Sequence, residues 1–315
     1  MIIILLLRKN EGFTAIGLPA AFLLACFLKY PAFAASSVRQ ALDVCALRLI
    51  PALFPALILC GILQRSGFPD WLARPITPLF RRVFRLPGCG ASAFLLGALA
   101  GFPIGAITSR ALCESGQIRH EDAERLCAFT NNAGMAFCVG GIGAALYRDP
   151  SVGWRLYFSQ LAASILIGIL LGLGRPLPEE ETPMTISPVP TAAIFVDSVA
   201  ESALTMLKIC AFAIFFGVIG DSVRAVIISL VPDGGWLCAL ALSFCELTKA
   251  SGMCAELPAY SEALCAFAVG FAGLSVHMQI ASVLSGSRVR SGLCLKCKLL
   301  QGILSAFFVQ IGNLC

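Results

Sequence analysis

The chain alternates between apolar runs of about 20 residues and short polar or basic segments. Runs of this length match a bilayer, whose hydrocarbon core an α-helix crosses in about 20 residues. Backbone in lipid must satisfy its own hydrogen bonds, and the runs are not alternating ten-residue segments, so helices are favoured over a barrel. The 315 residues leave room for roughly seven to nine spans or re-entrant pieces. The pattern predicts an all-α, polytopic helical membrane protein with two weakly related halves.

Changes in composition divide the chain into four predicted parts. Residues 1–43 form an N-terminal segment in which PAFAASS, following an apolar run, resembles a signal-peptide cleavage region; a cleaved peptide and an uncleaved first span both remain open. A Pro-rich acidic linker, residues 175–200, separates a first gate-like half, residues 44–174, from a second, residues 201–315. The runs that predict spans are residues 12–30, 44–63 (interrupted by Pro51 and Pro55), 91–112, 154–174, 202–220, 263–286 and 299–312.

Two of these runs contain residues that end one helix and begin another. The first carries Gly-Phe-Pro, in which Gly101 and Pro103 are followed by Gly105, and the second carries Gly-Leu-Ser from Gly273 to Ser275. Glycine lets the chain leave a helix, whereas Pro at a first helical position or Ser at an N-cap begins the next one. Each half is therefore predicted to contain a broken or re-entrant helix.

The two interrupted segments, residues 97–112 and 269–284, align weakly as a repeat. Broken helices at corresponding positions of two halves indicate the binding site of a transporter. The restarted half-helices, predicted at Ile104–Leu112 and Val276–Leu284, would present free backbone N–H groups and partial positive charge to a cavity. The N-terminal ends of such helices attract anions, so the two interruptions predict an anionic solute.

Two adjacent amides, Asn131 and Asn132, lie in an apolar segment, on a helix predicted to begin at Glu121 and Asp122. An amide that faced lipid would lose its hydrogen bonds at a cost of a few kcal/mol. Side chains of adjacent helical residues are about 100° apart, so at least one amide must face protein or water. We expect the pair to line the cavity; the alternative is that both amides bind a neighbouring helix and only stabilise the fold.

Further polar side chains lie near the second interruption and in an irregular apolar stretch. His277 and Gln279 follow Ser275 and are expected to face the same cavity, or to make structural hydrogen bonds between helices. Glu246 and Thr248 precede Lys249, and the three-residue spacing predicts an ion pair between Glu246 and Lys249 on one helical face. Intramembrane ionisable residues are functional candidates by default.

Composition and charge support the membrane assignment. Hydrophobic residues make up 58% of the chain, charged residues 13%, and the mean hydropathy is +0.87; a soluble domain has about 25% charged residues. The net charge of +5 is spread over loops and predicts no nucleic-acid binding. Most of the 15 cysteines lie singly in apolar runs. The pair in CLKC, Cys294 and Cys297, is a weak metal signal, so no metal site or cofactor is expected.

Basic segments predict which loops face the cytoplasm. Five arginines lie between Arg65 and Arg85, and a second basic loop is predicted from Arg288 to Lys298. The first segment, WLARPITPLFRRVFRL, is either an amphipathic surface helix or a solvated basic loop. Both basic segments indicate the cytoplasmic side of the membrane.

The strings GFPIGA, AERLCAFTNNAGMAF, GFAGLSVHMQIASVLSG and CELTKASG resemble the YlbJ family of sporulation integral membrane proteins, within the group that shares a gate domain with nucleoside transporters. The resemblance implies a role in moving dipicolinate towards the forespore. The implied site residues are Gly101, Pro103, Gly105, Asn131, Asn132, Glu246, Thr248, Gly273, Ser275, His277 and Gln279. This sequence departs from the family pattern after Asn132, where Ala-Gly-Met follows, and after Thr248, where Lys-Ala-Ser follows.

These observations predict a multi-pass protein of the bacterial cell membrane, with the forespore outer membrane as one location, that transports a small organic anion such as dipicolinate. Transport of a nucleoside or other small solute is the alternative, as is a non-transporting role in a sporulation membrane complex. An enzyme is disfavoured because the chain has no GxSxG, HExxH or Walker A motif. No catalytic residue is expected, and homo-oligomerisation is left open.

Overall fold

The computed structural model describes residues 17–178, 191–259 and 261–312, which form helices and no strand. Residues 1–16, which include the start of the first span predicted at residues 12–30, lie outside the described residues. The helices are α1 (Leu18–Lys29), α2 (Pro31–Val44), α3 (Ile50–Ser66), α4 (Phe68–Ala73), α5 (Thr77–Phe84), α6 (Gly90–Ala100), α7 (Ile104–Glu114), α8 (His120–Thr130), α9 (Phe137–Tyr147, π-helical), α10 (Pro150–Gly172), α11 (Thr191–Leu230), α12 (Gly235–Cys245), α13 (Leu247–Ala255), α14 (Ser261–Phe271), α15 (Gly273–Leu284) and α16 (Gly292–Gly312).

Four helical segments of the described chain are long and apolar enough to cross a bilayer, namely Pro150–Gly172, Ala192–Leu230, Ser261–Leu284 and Gly292–Gly312. A fifth candidate is the bent pair Ala20–Lys29 and Pro31–Leu49, whose axes meet at 105°. The prediction of an all-α, polytopic helical membrane protein is confirmed.

Many of the remaining apolar helices are half as long as a span. An α-helix of 11 residues, such as α6, is about 16 Å long, whereas the hydrocarbon core is about 30 Å thick. Such half-helices occur in consecutive pairs: α6 with α7, α8 with α9, and α12 with α13. Helices α14 and α15 form a fourth pair, which together spans the full-length segment Ser261–Leu284. Apolar residues that suggested separate full spans therefore belong to interrupted ones.

The predicted interruption of the second span by two prolines is wrong. Helix α3 runs through Pro55, and Pro51 is its second residue. A π-helical turn, Cys45–Leu49, joins α2 to α3 without a break.

The order of the half-helices suggests a different internal pairing from the one in the sequence. Helix α6 contacts the next two helices, α7 and α8, and α12 likewise contacts α13 and α14. Helix α7 also contacts α15, and its counterpart α13 contacts α9. In this arrangement the break after α6 corresponds to the break after α12, and the break after α8 to the break after α14. The weak alignment of residues 97–112 with 269–284 instead pairs the first break of one half with the second break of the other half. The division into residues 44–174 and 201–315 stays a prediction.

The basic segment between α3 and α6 is folded onto the helices. Helix α5 buries Phe80 and Phe84, and the Phe84 ring stacks on Phe129 of α8 with centroids 4.9 Å apart. On its polar side, Arg81 Nη2 donates to the Pro178 carbonyl at 2.7 Å. These contacts match the amphipathic-helix interpretation and not the solvated loop.

Two boundaries in the second half differ from the predicted ones. Helix α11 begins at Thr191, within the predicted linker of residues 175–200. Helix α16 begins at Gly292 and includes Lys298, whose side chain is fully buried; the assignment of Lys298 to a basic loop is therefore wrong. The ammonium donates to Gln301 Oε1 at 2.9 Å, and this bond lets the lysine lie inside the bundle.

Candidate functional site

A cavity lies where all four interrupted helices meet, and it holds about 440 Å³ of empty space, part of it open to the surroundings. The enclosed space is about 30 Å³, so a solute larger than one or two water molecules requires the surrounding helices to move apart. The cavity is lined by Leu49, Leu53, Ala100, Gly101, Phe102, Gly134, Phe137, Ile209, Ala213, Glu246, Leu247, Thr248, Ser275, Val276 and Gln279.

The first break depends on glycine. Gly101 has φ +88° and ψ −173°, a conformation that is nearly exclusive to glycine. A Cβ atom at this position would lie 2.5 Å from the backbone nitrogen of Gly134, and one at Gly134 would lie 2.7 Å from the Ala100 carbonyl oxygen. The backbones of the first and second breaks therefore touch, and both glycines line the cavity.

Two other predicted residues support this break without lining the cavity. Gly105 lies in the first turn of α7, where a Cβ atom would lie 2.5 Å from the carbonyl oxygen of Thr130. Its small size therefore lets α7 pack closely against the end of α8. Pro103 occupies the N-cap position of α7. The predicted half-helix at Ile104–Leu112 is confirmed by α7, which starts at Ile104.

The predicted helix that carries the two amides ends before them. Helix α8 stops at Thr130, and Asn131 has extended backbone angles, φ −84° and ψ 91°. Its Oδ1 accepts from the N–H of Ala106 in α7 at 2.8 Å, and its Nδ2 donates to the Cys127 carbonyl at 2.8 Å. Asn131 therefore satisfies backbone groups of two helices at the break and lies outside the cavity lining.

Asn132 also binds protein on every side. Its Oδ1 accepts from Gln301 Nε2 at 2.7 Å, and its Nδ2 donates to the Phe129 carbonyl at 3.0 Å and to Ser164 Oγ at 3.2 Å. Like Asn131, it is fully buried and absent from the lining. The contacts are those of the structural alternative, in which the amides bind neighbouring helices.

Gln160 of α10 completes this network and was not among the residues predicted from the sequence. Its Oε1 accepts from the N–H of Ala133 at 3.0 Å, and its Nε2 donates to the Ala133 carbonyl at 2.7 Å. One side chain thus replaces the backbone hydrogen bonds that the break removes. Its signal was a glutamine within an apolar span, four residues before Ser164 and so on the same helical face.

The third break lies at Glu246, between α12 and α13. Glu246 is extended, with φ −146° and ψ 121°, and its Oε2 accepts from the backbone N–H of Lys249 at 2.8 Å as an N-cap. The predicted ion pair between Glu246 and Lys249 is wrong: Lys249 Nζ instead binds Asp221 of α11, which also binds Ser37 of α2. Glu246 and Thr248 both line the cavity.

The fourth break is made by two residues in the left-handed region, Ala272 at φ +74° and Gly273 at φ +71°. A Cβ atom on Gly273 would lie 3.2 Å from the Cys245 carbonyl oxygen, so this break packs against the third. Helix α15 begins at Gly273, slightly before the predicted start at Val276, and ends at Leu284 as predicted. Ser275 and Gln279 line the cavity.

His277 does not face the cavity with its neighbours. Successive helical residues are about 100° apart, so His277 lies about 200° from both Ser275 and Gln279. Its ring packs against Phe271 with centroids 4.9 Å apart. Among the described residues its Nε2 has no hydrogen-bond partner.

The structure thus brings together five of the eleven predicted site residues at one cavity: Gly101, Glu246, Thr248, Ser275 and Gln279. The other six shape or support the breaks around it: Pro103, Gly105, Asn131, Asn132, Gly273 and His277. Glu246 is the one charged side chain in the described lining. Within residues 17–178, 191–259 and 261–312, no three His, Cys, Asp or Glu side chains are grouped to bind a metal ion.

These features define a polytopic helical membrane protein in which four interrupted helices of the described chain surround one cavity. Residues 46–148, which include the first two breaks, match the gate family, described as nucleoside recognition. The chain is similar to the sporulation integral membrane protein YlbJ of Bacillus subtilis (strain 168), with 25% identity over 326 residues that cover 92% of this chain and 80% of the relative. The resemblance predicted from the motifs is confirmed. No solved structure matches the chain significantly.

Proposed function

We propose that this protein is a membrane transporter of a small organic anion, and that the solute crosses at the cavity between the four breaks. The observation that carries the proposal is the convergence of these breaks at one cavity. Irregular backbone at membrane depth is tolerated where it is buried in protein or lines a cavity. Transporters use discontinuous helices of this kind to bind solutes near the bilayer midplane.

Two features of the lining favour a solute with a carboxylate group. Helix α15 directs its N-terminus, with partial positive charge, towards the cavity, and Ser275 contributes a hydroxyl group to the lining. Dipicolinate, the solute that the family resemblance implied, is the first candidate. The relative is named for sporulation, which supports a role of this protein in the same process. The proposed location is the cell membrane, with the forespore outer membrane as the candidate that the family resemblance implies.

A nucleoside is the second candidate, because the lining also contains the Glu246 carboxylate. A carboxylate accepts hydrogen bonds from hydroxyl groups and repels anions. The gate family is described as nucleoside recognition, which agrees with a hydroxyl-rich neutral solute.

Uptake into proteoliposomes distinguishes the two candidates. Purified protein is reconstituted, and accumulation of labelled dipicolinate is compared with accumulation of labelled uridine. Ala213→Phe fills the cavity from α11, and Ala211→Phe adds the same ring two residues away at an exposed position on the same helix. We expect dipicolinate uptake that the first variant abolishes and the second retains.

Other outcomes of this experiment change the assignment. Accumulation of uridine alone replaces the first candidate by the second. If neither solute, nor any of a panel of dicarboxylates and nucleosides, accumulates with folded protein, the transport proposal fails. A non-transporting role in a membrane complex would then be the remaining interpretation.

A further inference from the structure

The four half-helices that follow a break differ in whether a side chain of the protein binds the backbone N–H groups where the helix starts. In α7, the N–H of the third residue, Ala106, is bound by Asn131 Oδ1. In α13, the N–H of the third residue, Lys249, is bound by Glu246 Oε2. Before α9, the N–H of Ala133 is bound by Gln160 Oε1. Side-chain oxygens of the protein itself therefore bind a first-turn N–H in α7 and α13, and a backbone N–H within the break before α9.

Helix α15 is the exception. Its N-cap is Ala272, which has no side-chain oxygen, and among the described residues no side chain binds an N–H of its first turn. Its third residue is Ser275, which is 1% exposed and lines the cavity. The Ser275 hydroxyl has no hydrogen-bond partner in the described structure. A buried hydroxyl without a partner normally costs free energy, which indicates that a ligand completes its hydrogen bonding.

We infer that the first turn of α15, together with the Ser275 hydroxyl, binds the carboxylate of the transported solute. This inference rests on the proposed function and locates its binding atoms. A ligand oxygen at this position would accept from the free N–H groups of the turn and from Ser275 Oγ, as Glu246 accepts from the first turn of α13. The solute thus provides the acceptor that α7 and α13 receive from the chain.

The neighbouring carboxylate of Glu246 determines what the rest of the solute must present. Glu246 lies at the adjoining break, where the backbones of Cys245 and Gly273 are close together. Lys249, the nearest cation along the chain, is bound by Asp221 and does not line the cavity. A second ionised carboxylate near Glu246 would be repelled. The solute is therefore a monoanion with a carboxylate at one end and a hydrogen-bond donor at the other, which for a dicarboxylic acid is its singly protonated form.

Substitutions of Ser275 test the carboxylate site. Ser275→Ala removes one hydrogen bond to a charged group and should weaken dipicolinate binding about ten- to a hundredfold. Ser275→Asp places a carboxylate at the third position of α15, where acidic residues are favourable. This variant should therefore keep or raise the melting temperature and lose dipicolinate binding altogether. The matched control is Ser243→Ala, since Ser243 is equally buried but binds the Ala239 carbonyl at 2.8 Å, outside the lining.

The measurements are binding of labelled dipicolinate to detergent-purified full-length protein and thermal unfolding of the same samples. The inference is overturned if folded Ser275→Asp binds dipicolinate as the wild type does, or if Ser275→Ala and Ser243→Ala have equal affinities. In that case transport by the wild type would still support the proposed function. If the wild type itself neither binds nor accumulates dipicolinate or another organic acid, the proposed function fails, and the inference fails with it.

Discussion

Replacing Asn131 by alanine distinguishes a structural amide from a solute-binding one. The substitution removes two bonds of 2.8 Å, one from the Ala106 N–H and one to the Cys127 carbonyl. A buried donor left without a partner costs about 1–3 kcal/mol, and the second lost bond adds about 1 kcal/mol. The sum is about 2–4 kcal/mol. For a chain of this size it should lower the melting temperature by about 3–6 °C.

The assay for Asn131→Ala combines thermal unfolding in detergent with uptake into proteoliposomes, corrected for the amount of folded protein. Because Asn131 lies outside the cavity lining, the KM for the transported solute should remain that of the wild type. Asn131→Asp is the matched variant, since it retains an acceptor for the Ala106 N–H and should recover part of the stability. A raised KM with an unchanged melting temperature would refute the structural role of this amide.

Three further substitutions test the breaks and their surroundings. Gly101→Ala should destabilise the protein by about 3 kcal/mol or more, because a side chain at this backbone conformation is strained. Gly140→Ala is the control, since its Cβ atom would lie in open space, and it should not destabilise the protein in this way. Equal melting temperatures of the two variants would contradict the prediction. Asp221→Asn should destabilise the protein by leaving Lys249 buried without its counter-charge. Adding Lys249→Met should recover stability. If the effects of the two substitutions on the free energy of unfolding were strictly additive, this result would argue against the ion pair. Glu246→Gln retains an acceptor for the first turn of α13 and removes the negative charge. It should raise the affinity for a fully ionised dicarboxylate relative to the affinity for its singly protonated form, as measured by competition binding at several pH values. An unchanged preference between the two forms would exclude a role for this charge.

Local signals in the sequence predicted two of the four breaks. Glycine followed by proline or serine specifies the end of one helix and the start of another within a few residues. For this reason the starts at Ile104 and Gly273 could be placed to within a few positions. The break at Asn131 has no such local signal. It is held by distant residues: Gln160 binds the backbone of Ala133, and Gln301 binds the side chain of Asn132.

The directions of the polar side chains were harder to predict than the breaks. Whether Asn132 faces solute or protein depends on which helices pack beside it, and a single sequence does not specify that packing. Lys249 turned to a partner on α11 because Glu246 was already engaged as an N-cap. The orientation of His277, in contrast, was available from the sequence, since a residue two positions from Ser275 and Gln279 lies on the far side of a helix.

The side-chain bridge from Gln160 to Ala133 has a consequence for how such a protein could change shape. Two hydrogen bonds fasten the break after α8 to α10, so these parts would travel as one block. The wall opposite, formed by Leu49, Leu53, Ile209 and Ala213, offers only hydrocarbon to the cavity. Hydrocarbon surfaces slide past one another without losing directional bonds. An opening movement that shifts the π-helical turn, α3 and α11 along the block would keep these two hydrogen bonds and would break the contacts of Lys249 with Gly217 and Asp221 of α11.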